Sequence, residues 1–348
     1  MSKTTGRIVQ SRKKKSKTKK IRRPRKSRKK STRKKSTRMK GVKSNKARMK
    51  KDKNIGVLND IMSVDKLKPL KFPSEFTLPY IRKTTKEKRY NREQAETLSR
   101  KNLHYGQLKL LLSEMEVFLL PKAKTIKYVI YAGAAPGVHI STLAKFLPHI
   151  EWFLYDPRDV FDKGLEQFDR VHTYVQYFTL NDAKKLRAQL VKSKNLKKGE
   201  LMLISDIRSN AIEKAKKAKD LGAQQEIVFV DMLLQQDFYD ALKPDMSLFK
   251  FRLTWDSGKT TYYKGDIYYP IYGKFATTEF RLYVDGSNAK TITYDNVRYE
   301  DQAFYFNYCI RNQTDFDRRS MHTILNLFAK KYKTTNKKLI DFIVQTLF

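Results

Sequence analysis

Between Gln107 and Leu253, apolar runs of strand length alternate with segments of helix length, and that alternation restricts the fold more than any other feature of the chain. QLKLLLSEMEVF (Gln107 to Phe118) predicts a helix, and KYVIYAG (Lys127 to Gly133) predicts a buried strand that ends in a glycine turn. Val138 to Leu147 then reads as helix, EWFLYD (Glu151 to Asp156) as strand and HTYVQYF (His172 to Phe178) as strand. Asp182 to Val191 is expected to be helical, LMLISD (Leu201 to Asp206) a strand, Gln224 to Leu242 a helix and MSLFKFRL (Met246 to Leu253) a strand. The series predicts an α/β protein with a doubly wound, Rossmann-like sheet. Past Trp255, Tyr262 to Tyr272 and Glu279 to Val284 read as antiparallel strands, with helices near Glu300 to Asn312 and at the C-terminus. A further helix is expected to start near Asn91.

The first 55 residues obey a different rule. They are nearly all Lys, Arg, Ser and Thr, with Asp52 the only acid and too few apolar side chains to bury, so a disordered basic arm is expected. This arm holds about two thirds of a net charge of +40, which comes from 75 Lys and Arg against 35 Asp and Glu. So cationic a chain attracts polyanions, nucleic acid first among them. Residues 56–84, with Pro69, Pro73 and Pro79, read as an irregular wrap leading into a single domain over 85–348. No run approaches the roughly 18 consecutive apolar residues of a spanning helix, so no membrane partner is expected. Cys309 is the only cysteine, which excludes an intramolecular disulfide and a multi-cysteine zinc site.

The loop Gly133-Ala134-Ala135-Pro136-Gly137 stands where the first sheet strand hands over to a helix, the place where such sheets bind nucleotide-like ligands. It is not G-x-G-x-x-G, which weakens a pyrophosphate-binding reading. Asp156, at the end of the next strand, is placed to accept from ribose hydroxyls. A ligand with a ribose and an amino-acid tail but no phosphate fits both features, and S-adenosylmethionine is such a ligand.

Four charged residues occupy telling positions: Lys109 on the helix before that strand, Asp206 ending a strand, Lys250 inside an apolar strand and Glu279 opening another. Lys109 also reads as a lysine lying along an amphipathic helix, and Glu279 as a solvated strand residue. Lys250 is harder to place at a surface. Alternation puts it with Leu248 and Arg252 on one face of a strand expected to be covered on both sides, where a lysine needs carboxylate partners.

Six strings, YGQLKLLLSE, AGAAPGVHI, WFLYDPR, LISDIRS, LFKFR and TEFRL, together resemble the poxvirus VP39-like cap-specific mRNA nucleoside-2′-O-methyltransferases, in that family's order and at similar spacing from about Tyr90 to Asn312. The resemblance implies an S-adenosylmethionine-dependent methyltransferase fold and a catalytic Lys109-Asp206-Lys250-Glu279 tetrad. It places Gln107, Tyr131, Gly133, Gly137, Asp156, Arg158 and Phe178 around the methyl donor. It also implies that Tyr90 and Trp255 stack on the methylated cap base while Glu300, with Asp256 as a further candidate, reads its edge. On the residues alone, Trp255 serves equally as core filler and Glu300 as a solvated helix residue. Where the family has a tyrosine just upstream of the tetrad glutamate this chain has Ala276, and Phe275 is out of phase.

A ribose hydroxyl is a weak nucleophile that must be oriented and deprotonated, which makes Lys250 the candidate base. Free lysine titrates near ~10.4, and burial with the neighbouring Lys109 opposes Asp206 and Glu279 in setting where Lys250 does. A sulfonium is its own leaving group, so no metal is expected. Capped mRNA is the expected partner, joined by a viral poly(A) polymerase catalytic subunit, since the family also serves as that enzyme's processivity subunit. The alternatives are a non-catalytic RNA-binding subunit and a 2′-O-methyltransferase of ribosomal or internal RNA sites. The resemblance implies a large DNA virus, with the protein in the virion and the host cytoplasm; the basic arm reads equally as a nuclear signal.

Overall fold

The computed structural model describes residues 58–62, 88–101, 105–209, 217–312 and 315–348. The basic arm, and most of the wrap after it, lie outside the described residues. Those that are described belong to one unit, Lys51–Phe348.

A sheet of seven strands runs β3-β2-β1-β4-β5-β8-β7. Its elements are α1 (Arg92–Lys101), α2 (Gly106–Phe118), β1 (Tyr128–Ala132), α3 (Val138–Phe146), β2 (Glu151–Tyr155), β3 (Val171–Tyr174), α4 (Leu180–Lys194), β4 (Leu201–Ser205), α5 (Leu221–Leu242) and β5 (Met246–Phe251). There follow β6 (Lys259–Tyr263), β7 (Asp266–Tyr268), β8 (Phe280–Asp285), β9 (Thr291–Asp295), α6 (Asn296–Tyr305), α7 (Phe316–Lys331) and α8 (Asn336–Leu347). The first five sheet strands pair in parallel, and β8 and β7 add antiparallel at the β5 edge. β6 and β9 form a separate antiparallel pair.

The doubly wound reading holds, for the physical reason that suggested it. Every residue of β1 and β4 is buried, as parallel strands covered on both faces must be. The order reverses at β1: the chain steps outward through β2 to β3, returns through α4 to β4, and continues to β5. Thus α4 and α5 pack together, while α2, α3, α7 and α8 form the other helical group. A crevice opens at the carboxyl ends of strands where such a reversal occurs.

Register decides what meets there. Ala132 pairs with both Tyr155 and Ser205, and Ser205 pairs with Phe249. Gly133, Asp156, Asp206 and Lys250 therefore arrive at one edge, each next to or one past the last paired residue. β8 runs back along β5 with Arg281 opposite Lys250 and Phe280 opposite Phe251, which delivers Glu279 to the same edge.

Three elements differ from expectation. The strand expected over His172 to Phe178 stops at Tyr174, where β2 ends beside it; Val175 and Tyr177 leave the sheet and are exposed. Tyr262 to Tyr272 holds the end of β6 and the whole of β7, and between them stands Gly265, where a Cβ would lie 2.2 Å from the Tyr283 carbonyl oxygen, so only glycine passes there. The helix expected over Glu300 to Asn312 starts at Asn296, where Asp295 accepts from the Arg298 N–H, and widens into a π-helical turn over Phe306–Ile310. Residues 58–62 form a helical turn whose Ile61 is fully buried in the core and whose Asp60 pairs with Arg318 Nε at 3.1 Å.

Candidate active site

A cavity of about 460 Å³ opens at the carboxyl edge of the sheet, lined among others by Gln107, Gly133, Asp156, Arg158, Phe178, Asp206 and Lys250. Gly133 forms its floor at φ +81°, and a Cβ there would stand 2.8 Å from the Asp206 carbonyl carbon. The turn must be glycine both for its backbone angle and for this close approach. Gly133→Ala is expected to destabilise the fold by about 1–3 kcal/mol and to displace the Asp206 peptide, read as a lowered Tm. Gly137, at φ +70°, stands at the N-cap of α3.

Asp156 is buried and its carboxylate is fully engaged. Oδ1 accepts from Arg158 Nε at 2.8 Å and from the Arg158 backbone at 3.0 Å; Oδ2 accepts from Arg158 Nη2 at 2.9 Å and from the Ala135 N–H at 3.2 Å. The two residues act as one clamp on the glycine loop, since Arg158 Nη2 also donates to the Ala135 oxygen. Phe178 packs against Tyr155 at 4.8 Å, and exposed Tyr177 joins it at the cavity wall. The Tyr131 ring is buried, and its hydroxyl donates to Glu114 Oε1 at 2.8 Å.

The four charged residues converge from four elements. Lys250 Nζ lies 3.1 Å from Asp206 Oδ1, donates to the Asp206 carbonyl at 3.2 Å, and stands 4.0 Å from Glu279 Oε1. Lys109 Nζ reaches the same Glu279 oxygen at 3.9 Å. Two arginines that sequence reasoning passed over complete the cluster. Arg281 Nη2 is 2.6 Å from Asp206 Oδ1, and Arg208 donates to Glu279 Oε2 at 3.0 Å while pairing with Asp231 at 3.4 Å. Alternation from Glu279 puts Arg281 on the glutamate's face of β8, and that was the available signal.

Charge balance sets the ionisation of these groups. Burial opposes ionisation of Asp206, but Arg281, Lys250 and Lys109 outweigh it and hold the carboxyl at about 2. Glu279 is likewise held well below the carboxylate range, with Lys250, Lys109, Arg208 and Arg281 overcoming its burial. Lys109 is pushed down to about 8 by burial and by Arg281, against the pull of Glu279 and Asp206.

Some way along the same edge lie the residues expected at the cap. Trp255 is 45% exposed, which rules out core filler; its Nε1 donates to Thr278 Oγ1 at 2.9 Å and the Arg252 guanidinium covers one face at 3.9 Å. Tyr90 is anchored through its N–H to Asp301 Oδ1 at 2.8 Å, with its ring edge-on to Phe304. Glu300 is half-buried, and burial with the adjacent Asp301 raises its pKa against the pull of Arg252. Asp256 is held low by hydrogen bonds from Thr254, Asn296 and Gly258, so it organises its own loop. Phe275 is buried beneath the Arg311 guanidinium, 4.1 Å from its ring.

Residues 74–348 match the family described as poly A polymerase regulatory subunit. The chain is 30% identical over 305 residues to the cap-specific mRNA (nucleoside-2′-O-)-methyltransferase of Fowlpox virus (strain NVSL), covering 79% of this chain and 94% of the relative. It is 28% identical over 289 residues to the protein of the same name from Myxoma virus (strain Lausanne), covering 75% of this chain and 81% of the relative. A likeness to the bluetongue virus VP4 structure, at a TM-score of 0.32 and 13% identity over 74% of this chain and 36% of that one, is too slight to argue from.

Proposed function

The chain belongs to the poly(A) polymerase regulatory subunit family, and on that footing we propose that it is a cap-specific mRNA 2′-O-methyltransferase with S-adenosylmethionine as methyl donor. The observation that carries this reading is the meeting of Lys109, Asp206, Lys250 and Glu279, of which Asp206 and Lys250 line the 460 Å³ cavity.

The cavity suits such a donor. A buried carboxylate, Asp156, faces a turn that admits no side chain at Gly133, Gln107 offers an amide, and Tyr177 and Phe178 supply apolar wall. When bound, the donor supplies a sulfonium methyl open to in-line attack. The chain's own residues then handle the ribose. Lys250 Nζ, entering the step as the neutral amine, accepts the proton of the 2′-hydroxyl as its oxygen attacks, the role of a general base. Asp206 and Glu279 orient that amine, and Arg281 and Lys109 keep both carboxylates ionised. In the cap site, Trp255 presents the face that Arg252 leaves free, Tyr90 supplies the second ring and Glu300 accepts from the base edge.

The family's description favours a second role beside the first, as regulatory partner of a poly(A) polymerase. The basic arm serves either role by holding RNA through its phosphates. The virion and host cytoplasm are the proposed setting.

The deciding experiment compares methylation of matched RNAs ending in an N7-methylated cap, an unmethylated cap or a triphosphate. Methylation makes the base cationic, so strong preference for the first RNA is expected. Trp255→Ala should raise KM for capped RNA about tenfold or more with little change in kcat, as loss of a remote binding contact does. Equal rates on all three RNAs would overturn cap specificity and favour an internal or ribosomal RNA substrate.

A further inference from the structure

Behind the cavity wall lies a polar chain of which the reading above uses only Gln107. His139 and Glu114 are buried, at 0% and 1% exposure, among the apolar residues of α2, α3 and β1. Gln107 stands at one end of the chain, on the cavity, and Tyr131 at the other. We propose that His139 is a positioning residue that fixes the amide of Gln107 for binding the methyl donor. The proposal rests on the reading of the cavity as the donor site.

The hydrogen bonds determine which way the amide points. Gln107 Oε1 receives His139 Nδ1 at 2.9 Å and the His139 backbone N–H at 3.4 Å. His139 is the second residue of α3, so its N–H has no acceptor within the helix and takes one from Gln107. Turning the amide over would set its NH₂ against that N–H, donor against donor, so the oxygen must face His139 and Nε2 must face the cavity. A carbonyl oxygen cannot donate, so Nδ1 carries a hydrogen. The other ring nitrogen faces Glu114 Oε1 at 3.2 Å, and the same oxygen accepts from the Tyr131 hydroxyl at 2.8 Å. One proton is therefore held between His139 Nε2 and Glu114 Oε1, and with Tyr131 it locks the plane of the imidazole.

The consequence is a preset donor on the cavity wall. An amide NH₂ held in one orientation suits the carboxylate of an amino-acid tail, and it spares the ligand the cost of ordering the side chain. Without the His139 ring the amide keeps only the longer 3.4 Å contact to the backbone N–H, and orientations that present an oxygen to that carboxylate become accessible.

Full-length protein and S-adenosylhomocysteine, titrated by calorimetry, provide the test. His139→Leu is expected to raise Kd on the order of tenfold, the worth of one well-placed hydrogen bond, and to raise KM for the donor in step while kcat stays within about threefold. His139→Asn keeps an N–H where Nδ1 stands but loses the link to Glu114, and should recover binding to within about threefold of wild type. Unchanged Kd in His139→Leu, or equal weakening in both variants, would overturn the proposal. Should His139→Leu fail to fold, Gln107→Glu decides: it keeps the acceptor for His139 but puts an oxygen where Nε2 stands, so unchanged affinity would equally overturn it. If wild-type protein binds no S-adenosylhomocysteine, the donor reading and this inference fail together; wild-type binding with an indifferent His139→Leu removes this inference alone.

Discussion

Lys250→Ala is expected to slow methyl transfer by ~10²- to 10⁴-fold, the usual span for loss of a general base, while S-adenosylhomocysteine still binds within about threefold of wild-type affinity. The separation follows from where the amine sits. Its contacts are Asp206 Oδ1, the Asp206 carbonyl and Glu279 Oε1, all of them protein groups, and none belongs to the Asp156–Arg158 clamp on the glycine loop. Losing it does not strand Asp206, which keeps Arg281 at 2.6 Å, or Glu279, which keeps Arg208 at 3.0 Å. The fold should therefore survive and the loss should appear in kcat. Lys250→Arg should not rescue, because a guanidinium stays protonated and cannot take up the hydroxyl proton. Asp156→Ala should do the reverse, weakening donor binding, since it dismantles the clamp on the glycine loop. Near-normal turnover by Lys250→Ala would remove it as the base and favour a non-catalytic RNA-binding role.

The features legible in the sequence were those with a local cause. β1 and β4 announce themselves as apolar runs because both of their faces are buried, and Gly133, Asp156 and Asp206 are visible because each follows such a run. Lys250 stood out as a cation on a strand that had no solvent face to offer. What was not legible depends on register between distant strands. Arg281 looks like an ordinary solvated arginine until β8 is paired antiparallel to β5, which sets it opposite Lys250 and against Asp206. Glu114 has the same difficulty: within LLLSEMEVF it reads as the polar side of an amphipathic helix, yet α2 is buried over most of its last two turns. Only the packing of α3 against it brings His139 to that carboxylate. Tyr131 likewise meets Glu114 only once α2 and β1 are packed together.

Asp206→Ala is expected to destabilise the fold by about 3–5 kcal/mol, the range found when one partner of a buried charge cluster is removed. Asp206 faces three cations of low exposure, Arg281 at 4%, Lys250 at 11% and Lys109 at 16% of the side chain. Without it, Glu279 alone balances them, and Glu279 already serves Arg208. The balance can be checked through pH. In the folded protein the Asp206 carboxyl titrates at about 2, below the ~3.9 of an unfolded chain. A depressed carboxylate contributes stability that is fully present above the unfolded value and disappears as pH falls through the folded one. The difference corresponds to roughly 2–3 kcal/mol. Asp206→Asn keeps the shape of the side chain and removes only its charge. Its deficit in denaturant unfolding against wild type should be large and flat from pH 7 down to about 5, and should shrink between about pH 4 and pH 2 as wild type loses the same contribution. A deficit under about 1 kcal/mol at pH 7, or one that stays constant through the acid range, would mean that Asp206 does not neutralise the cluster. Lys250 would then owe its placement to the Asp206 backbone carbonyl, which adds nothing to the charge balance and survives either substitution.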